Sequence, residues 1–286
     1  MPGSSPTVRQ RELGRRLRLL RNEHNLTVED VGEKLLCSAT KISRLETGAR
    51  RPSLRDVRDL CTLYGVDELT SAELMNLARG AREQTWWTQY DDLDLDPYLG
   101  LEQDAVAITS YTTHLFPALL QTEDYTRLVI KAIAPKMGPE IFQQRVEARM
   151  RRQKRILEKD NPPRYRVFLD EAVLHRHVGS PVLIAAQLDK VLNAVSSDKV
   201  TIQVISFDVG VHASQDSNFI LFELDKESGL PPVVLVEGLT GNQYHQREAD
   251  ITRYREAIEL LRDSALSPRD SVEYVTKMRN QAQKAQ

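Results

Sequence analysis

The sequence predicts an all-α N-terminal domain of five short helices joined to a larger α+β domain. Three observations carry that expectation. Residues 7–82 hold apolar side chains at helical spacing, interrupted by Ser, Thr, Gly and Pro where helices start and stop. A composition break follows at 83–101, where Trp86 and Trp87 lead into an acidic run from Asp91 to Pro97. Beyond it, over 102–286, short β-branched runs alternate with longer helical ones. At 286 residues, the chain is also long for a single domain.

The first helix is expected from about Val8 to Glu23. Leu13, Leu17 and Leu20 form one apolar stripe, and Arg9, Arg11, Arg15, Arg16, Arg18 and Arg21 fill much of the rest. Thr27 is a suitable N-cap for the second, with Asp30 three residues on at the positive end of the helix dipole and Val31 and Leu35 inward. Ser38 caps a third, Ala39 to Thr47, with Ile42 and Leu45 inward, and Gly48 supplies a left-handed stop. Pro52-Ser53 opens a fourth carrying Leu54, Val57, Leu60 and Cys61, and a fifth covers roughly Glu68 to Arg82. The 83–101 segment is read as a connection whose tryptophans dock, and residues 1–6 as a disordered leader without the features of a secretory signal.

In the larger domain, 102–160 reads as three helical pieces divided around Phe116-Pro117 and Pro135 to Pro139. The third piece carries a basic run from Arg145 to Arg155. Glu147, Glu158 and the interleaved apolar residues favour a solvated or interdomain face over a second nucleic-acid patch. Strands are expected at Tyr165–Leu169, Val200–Phe207, Asn218–Leu224 and Val233–Glu237, with helices near 181–196, 246–263 and 268–282.

Composition narrows the function classes. Hydrophobic residues at 41% and charged residues at 28% supply enough apolar material for packed cores and argue against wholesale disorder. No run approaches the ~20 apolar residues that span a bilayer. The two cysteines, Cys37 and Cys61, lack metal or redox spacing, so a reducing, cytoplasmic location is expected. Net charge is −2, but residues 1–58 carry thirteen Lys or Arg against seven Asp or Glu, so a basic module of +6 precedes a body of −8.

The second and third helices read as a helix-turn-helix. Gly32 is the small residue that lets two helices cross closely, and Leu36-Cys37-Ser38 is a brief turn. With Ile42 and Leu45 as anchors, the outer face presents Ala39, Thr40, Lys41, Ser43 and Arg44 to a major groove, with Ser38 at its start. Arg44 suits paired hydrogen bonds to guanine, the methyls of Ala39 or Thr40 suit a thymine methyl, and Lys41 suits either phosphate or base. The amides near Thr27 and Val28 suit a phosphate, as do Arg50 and Arg51. The arginines of the first helix are expected to provide general electrostatics.

The run Ser38-Ala39-Thr40-Lys41-Ile42-Ser43-Arg44-Leu45-Glu46-Thr47-Gly48, followed by Arg51-Pro52-Ser53 and Leu63-Tyr64-Gly65-Val66, resembles the Xre/Cro-type repressors over about residues 8–70. The resemblance implies a structural ion pair between Arg21 and Glu46. Further on, Phe116-Pro117-Ala118-Leu119-Leu120-Gln121-Thr122-Glu123-Asp124-Tyr125, Arg152-Gln153 and Asp170-Glu171-Ala172-Val173-Leu174 are similar to the C-terminal domain of actinobacterial Scr1-type antitoxin-like transcriptional regulators, over about 86–280. The chain departs from that pattern at Ala118, where the family usually has Gly. The resemblance implies a small protein partner or an unidentified signal at this domain, and, as an alternative, an antitoxin-like module that sequesters a small partner while using DNA binding for autoregulation.

An enzyme is not expected. His175-Arg176-His177 beside Asp170-Glu171 is the best candidate constellation, yet histidines two apart on a helix point to different faces, and Asp170-Glu171 more simply caps a helix. His212, in a loop before a strand, is expected to be exposed rather than to contact a ligand. No metal and no cofactor are expected. The whole reads as a DNA-binding regulator, a repressor on an inverted-repeat operator of double-stranded DNA. A homodimer supplies the paired half-sites, with a dimer surface on the fifth helix and its tryptophans or on the C-terminal helices with Tyr254, Ile258, Leu261 and Leu266.

Overall fold

The computed structural model describes residues 8–82, 96–158, 160–196, 199–225, 230–239 and 241–285. The leader and the tryptophan segment lie outside the described residues. The chain divides into two compact units, Met1–Asp104 with Asp225–Leu230, and Ala105–Leu224 with Pro231–Gln286.

The first unit is all-α: α1 (Val8–Glu23), α2 (Val28–Lys34), α3 (Ala39–Glu46), α4 (Leu54–Leu63), α5 (Glu68–Gly80) and α6 (Asp96–Asp104). Its starts are chemical. Thr27, Ser38, Ser53 and Asp67 each accept the amide of the residue three positions on, which satisfies a donor that the first helical turn leaves open. At Thr27 the bond is reciprocal, because Asp30 Oδ2 takes the Thr27 amide at 2.8 Å. These bonds to Thr27 hold the exposed Asp30 carboxyl below its ordinary range. The apolar stripes meet in one core of Leu13, Leu17, Val31, Ile42, Leu45, Val57, Leu60, Leu74 and Leu77, each at most 3% exposed.

The second unit is built on a six-stranded mixed sheet. Its strands are β1 (Ala105–Thr112), β2 (Arg164–Asp170), β3 (Val200–Ile205), β4 (Phe219–Leu224), β5 (Val233–Val236) and β6 (Gln243–His245), in the order β3-β2-β1-β4-β5-β6. β1, β2 and β3 run parallel, whereas β4, β5 and β6 join by antiparallel pairing. The crossovers are helical, as parallel neighbours require. α7 (Glu123–Ile133) and α8 (Pro139–Leu157) connect β1 to β2, and α9 (Glu171–His175) and α10 (Pro181–Val195) connect β2 to β3. α11 (Glu248–Ser264) and α12 (Pro268–Lys284) close the chain.

Alternation along the strands sends Tyr111, Phe168, Ile205, Phe219, Leu221 and Val234 into a cluster with Ile251, Ile258 and Leu261 of α11. This corrects the expectation that Ile258 and Leu261 lie on a dimer surface. Ile258 and Leu261 are 6% and 0% exposed and Tyr254 packs on the same cluster, so these side chains build the protein's own core. β3 is an edge strand, and the α11–α12 junction covers that edge. The Val204 amide donates to Ser271 Oγ at 3.0 Å, and the Leu266 amide to the Val204 carbonyl at 2.9 Å.

Two further expectations are overturned here. Residues 105–112 form the central strand β1 where a helix was expected. A short apolar run fits either period, and Val106, Ile108, Thr109 and Tyr111 follow the β-favouring chemistry once neighbours exist on both sides. The basic run on α8 is also partly internal, with Arg152 and Gln153 only 5% and 6% exposed. Gln153 Nε2 donates to the carbonyls of Ala118 and Gln121, and Lys190 Nζ of α10 donates to the Gln121 carbonyl at 2.8 Å. Burial holds the Lys190 ammonium below its usual range. A surface-like composition here satisfies an irregular segment, 116–122, inside the fold.

Candidate nucleic-acid interface

The α2–α3 crossing depends on Gly32. A Cβ there would lie 2.8 Å from the Cys37 carbonyl oxygen and 3.2 Å from the Ala39 amide nitrogen, and both are backbone atoms unable to move aside. The turn between the helices is closed by the Cys37 amide donating to the Gly32 carbonyl at 2.8 Å. Leu36 occupies the left-handed region, with φ of 52°, and is 95% exposed. Gly48, with φ of 73°, ends the run after α3.

A second close approach holds α3 against α1. At Gly14 a Cβ would lie 2.7 Å from the Leu45 carbonyl oxygen and closer still to that of Glu46. Beside it, Arg21 Nε and NH2 donate to the two carboxylate oxygens of Glu46 at 2.6 and 2.9 Å, and Arg21 NH1 donates to the Leu26 carbonyl at 2.8 Å. The two side chains are 12% and 6% exposed, so Glu46 faces inward. Gly14 is a packing requirement that the apolar spacing of α1 does not reveal. A glycine within a helix costs about 1 kcal/mol against alanine, and that penalty was the available signal of a packing requirement.

With Ile42 and Leu45 buried, helical spacing turns Thr40, Ser43, Arg44 and Thr47 outward on one face, with Ala39 half-buried at its start. Ser38 Oγ accepts the Lys41 amide at 3.2 Å as the cap. Lys41 Nζ is engaged by Asp56 Oδ1 of α4 at 2.6 Å, so its ammonium is not a free cation of this face. Thr27 likewise has its amide occupied by Asp30, while Val28 beside it is half-buried. Arg44, Arg50 and Arg51 are exposed, and their guanidinium groups make no hydrogen bond or ion pair among the described residues.

The arginines of α1 behave differently. Arg9 Nε donates to Asp104 at 2.9 Å. Arg15 and Arg16 both bind the buried Glu12, at 2.8 and 2.9 Å, and Arg16 also reaches Glu73 at 2.7 Å. Much of the positive charge of this helix is therefore matched by carboxylates of the same unit.

In the second unit, Asp170 caps α9 by accepting the Ala172 amide at 2.8 Å. Glu171 accepts the Phe207 amide at 2.8 Å and the Tyr274 hydroxyl at 2.5 Å, and His175 Nε2 lies 3.2 Å from it. Burial raises the Glu171 carboxyl, but these bonds outweigh it and hold the group below its ordinary range. His177 is exposed. The expectation of an exposed His212 is overturned. Its side chain is 3% exposed, its Nε2 lies 3.1 Å from the Tyr111 hydroxyl, and the Ser214 amide approaches its Nδ1 at 3.4 Å. The loop closes over the sheet end and carries the ring inside, which loop position alone does not reveal.

Two family models match the chain. A helix-turn-helix domain matches residues 12–74, and a domain of unknown function, DUF5753, matches residues 95–277. The second match covers well over half of the chain, which therefore belongs to the DUF5753 family. No curated protein and no solved structure matches it. The helix-turn-helix domain points to a DNA-binding regulator rather than an enzyme. No helix among the described residues is long and apolar enough to cross a membrane.

Proposed function

We propose that this chain is an Xre-type, sequence-specific transcriptional repressor that works in the cytoplasm on the nucleoid. It binds an inverted-repeat operator as a homodimer, and a small protein or another signal acting on the second unit modulates its affinity. The observation that carries the reading is the outer face of α3. It presents Thr40, Ser43 and an unengaged Arg44, while most of the arginines behind it on α1 are tied to carboxylates. Arg44 reads a guanine edge, Ala39 and Thr40 meet thymine methyls, and Arg50 and Arg51, just past α3, hold the phosphate backbone. Lys41 positions α3 against α4 through Asp56 in preference to touching a base. One such helix buries a small interface, so two copies on half-sites about one helical turn apart supply the affinity.

Selection of genomic fragments on the purified full-length protein, followed by a salt titration on the best fragment, tests this reading. A palindromic motif bound by two chains, with affinity falling steeply as salt rises, is the expected result. Binding without any motif, or one chain on a palindromic site, would overturn it.

A further inference from the structure

β1, β2 and β3 run parallel, so their carboxyl ends lie at one end of the sheet, and β4 enters antiparallel to β1 from that same end. In open α/β sheets, the crevice outside the carboxyl ends of the parallel strands is where ligands bind. At that place the second unit holds a cavity of 380 Å³, walled by residues that follow β1, β2 and β3. Its size falls in the range of small-molecule sites, about 300–1,000 Å³.

The walls are fixed and the groups facing inward are open. His212 is held by the Tyr111 hydroxyl and the Ser214 amide. The Phe207 backbone is held by Glu171, which is anchored in turn by Tyr274 of α12. Against this frame, the side chains of Arg176, Ser206 and Gln215 make no hydrogen bond or ion pair among the described residues, and all three line the cavity. Asp170 also lines it. One of its oxygens takes the Ala172 amide, but Oδ2 lies 4.0 Å from His212, beyond hydrogen-bond reach. Phe207 and Ile205 add an apolar surface.

We propose that this cavity is a ligand site for a small metabolite that carries a carboxylate or phosphate, bound by Arg176, together with an amine or hydroxyl, bound by Asp170. Gln215 and Ser206 complete the polar set, and the ligand's carbon skeleton lies on Phe207. That this site serves as the effector site rests on the reading of a DNA-binding regulator given above.

The test uses the full chain with three probes: inorganic phosphate, L-serine, and L-serinamide, which lacks the carboxylate. Imidazole resonances of His212 and His114, both in the cavity wall, report occupancy. Saturable shifts with L-serine and phosphate in the millimolar range are expected, about tenfold weaker binding with L-serinamide, and a similar tenfold loss in Arg176→Gln with an unchanged melting temperature. Arg176 is exposed and its side chain makes no hydrogen bond or ion pair among the described residues, so that substitution leaves the protein intact. Lack of saturation with both anions, or binding indifferent to Arg176→Gln, would overturn the site. Operator affinity, measured with and without saturating probe, separates the two inferences. Binding without a change in operator affinity keeps the site and ends its role in modulation. Modulation by another effector that is insensitive to Arg176→Gln keeps the regulator and overturns the effector site.

Discussion

On α1, Arg9, Arg15, Arg16 and Arg21 are each engaged by a carboxylate of the same unit, whereas Arg44, Arg50 and Arg51, on and just after α3, have no such partner among the described residues. Both stretches look equally basic in sequence. The difference teaches that positive charge in a window of residues is not positive charge available to a ligand. A guanidinium already bound by a buried carboxylate contributes stability and orientation, and one left open can bind phosphate or a base edge. The second unit repeats the distinction, with Arg176 open in the cavity wall and Lys190, elsewhere in the unit, enclosed by the Gln121 carbonyl and Gln153 Oε1.

The comparison breaks most visibly at Arg21. Arg21→Ala leaves the Glu46 carboxylate buried without its partner and should cost about 3–4 kcal/mol of stability in the first unit, read by denaturant unfolding. A loss no larger than that of an exposed arginine such as Arg18 would show that the pair does not hold α3 in place. Gly14→Ala should cost about 2–3 kcal/mol, because the added methyl meets the carbonyls of Leu45 and Glu46. An unchanged unfolding midpoint would mean that α1 and α3 pack differently.

Arg44→Ala reverses the pattern, leaving stability alone while weakening operator binding by about 1–3 kcal/mol and relaxing one base position. Arg51→Ala should weaken all DNA sequences alike and reduce the salt slope by about one. Equal losses for Arg44→Ala on operator and random DNA would move that residue to the phosphate class. Leu36→Gly should stabilise the first unit by about 0.5–1 kcal/mol. It relieves a left-handed backbone at a side chain that packs on little, and a loss in thermal melting would mean that Leu36 makes contacts of its own.

The smallest effect concerns pH. The Glu171 carboxyl is held below its ordinary range, so its contribution to the second unit is complete above the usual carboxylate range and is lost as pH falls through the lowered value. Tyr274→Phe removes one of the donors that lower it, so the acid loss should be smaller and complete at a higher pH. Melting profiles recorded down the acid side check this, and coincident profiles for the two proteins would remove the Tyr274 bond from the account.

The helix-turn-helix was legible in the sequence because its determinants are local. Caps, turn and inward residues lie within about twenty positions, and each acts on its own neighbours in the chain, as Ser38 does on the Lys41 amide. The parts that were misread depend on distant partners. Ala105–Thr112 becomes a strand because β2 and β4 flank it, and Ile258 and Leu261 of α11 become core because the sheet lies beneath them. Whether Lys41 is an open cation was decided by Asp56, and the burial of His212 by Tyr111, 101 positions away. The sequence by itself determined the helices α1 to α5 and the caps that open α2 to α5, since hydrogen bonds between near neighbours follow from residue type and spacing. Only the tertiary structure decided which charged and polar groups are engaged and which stay open, because their partners come from chain segments that spacing alone cannot bring together.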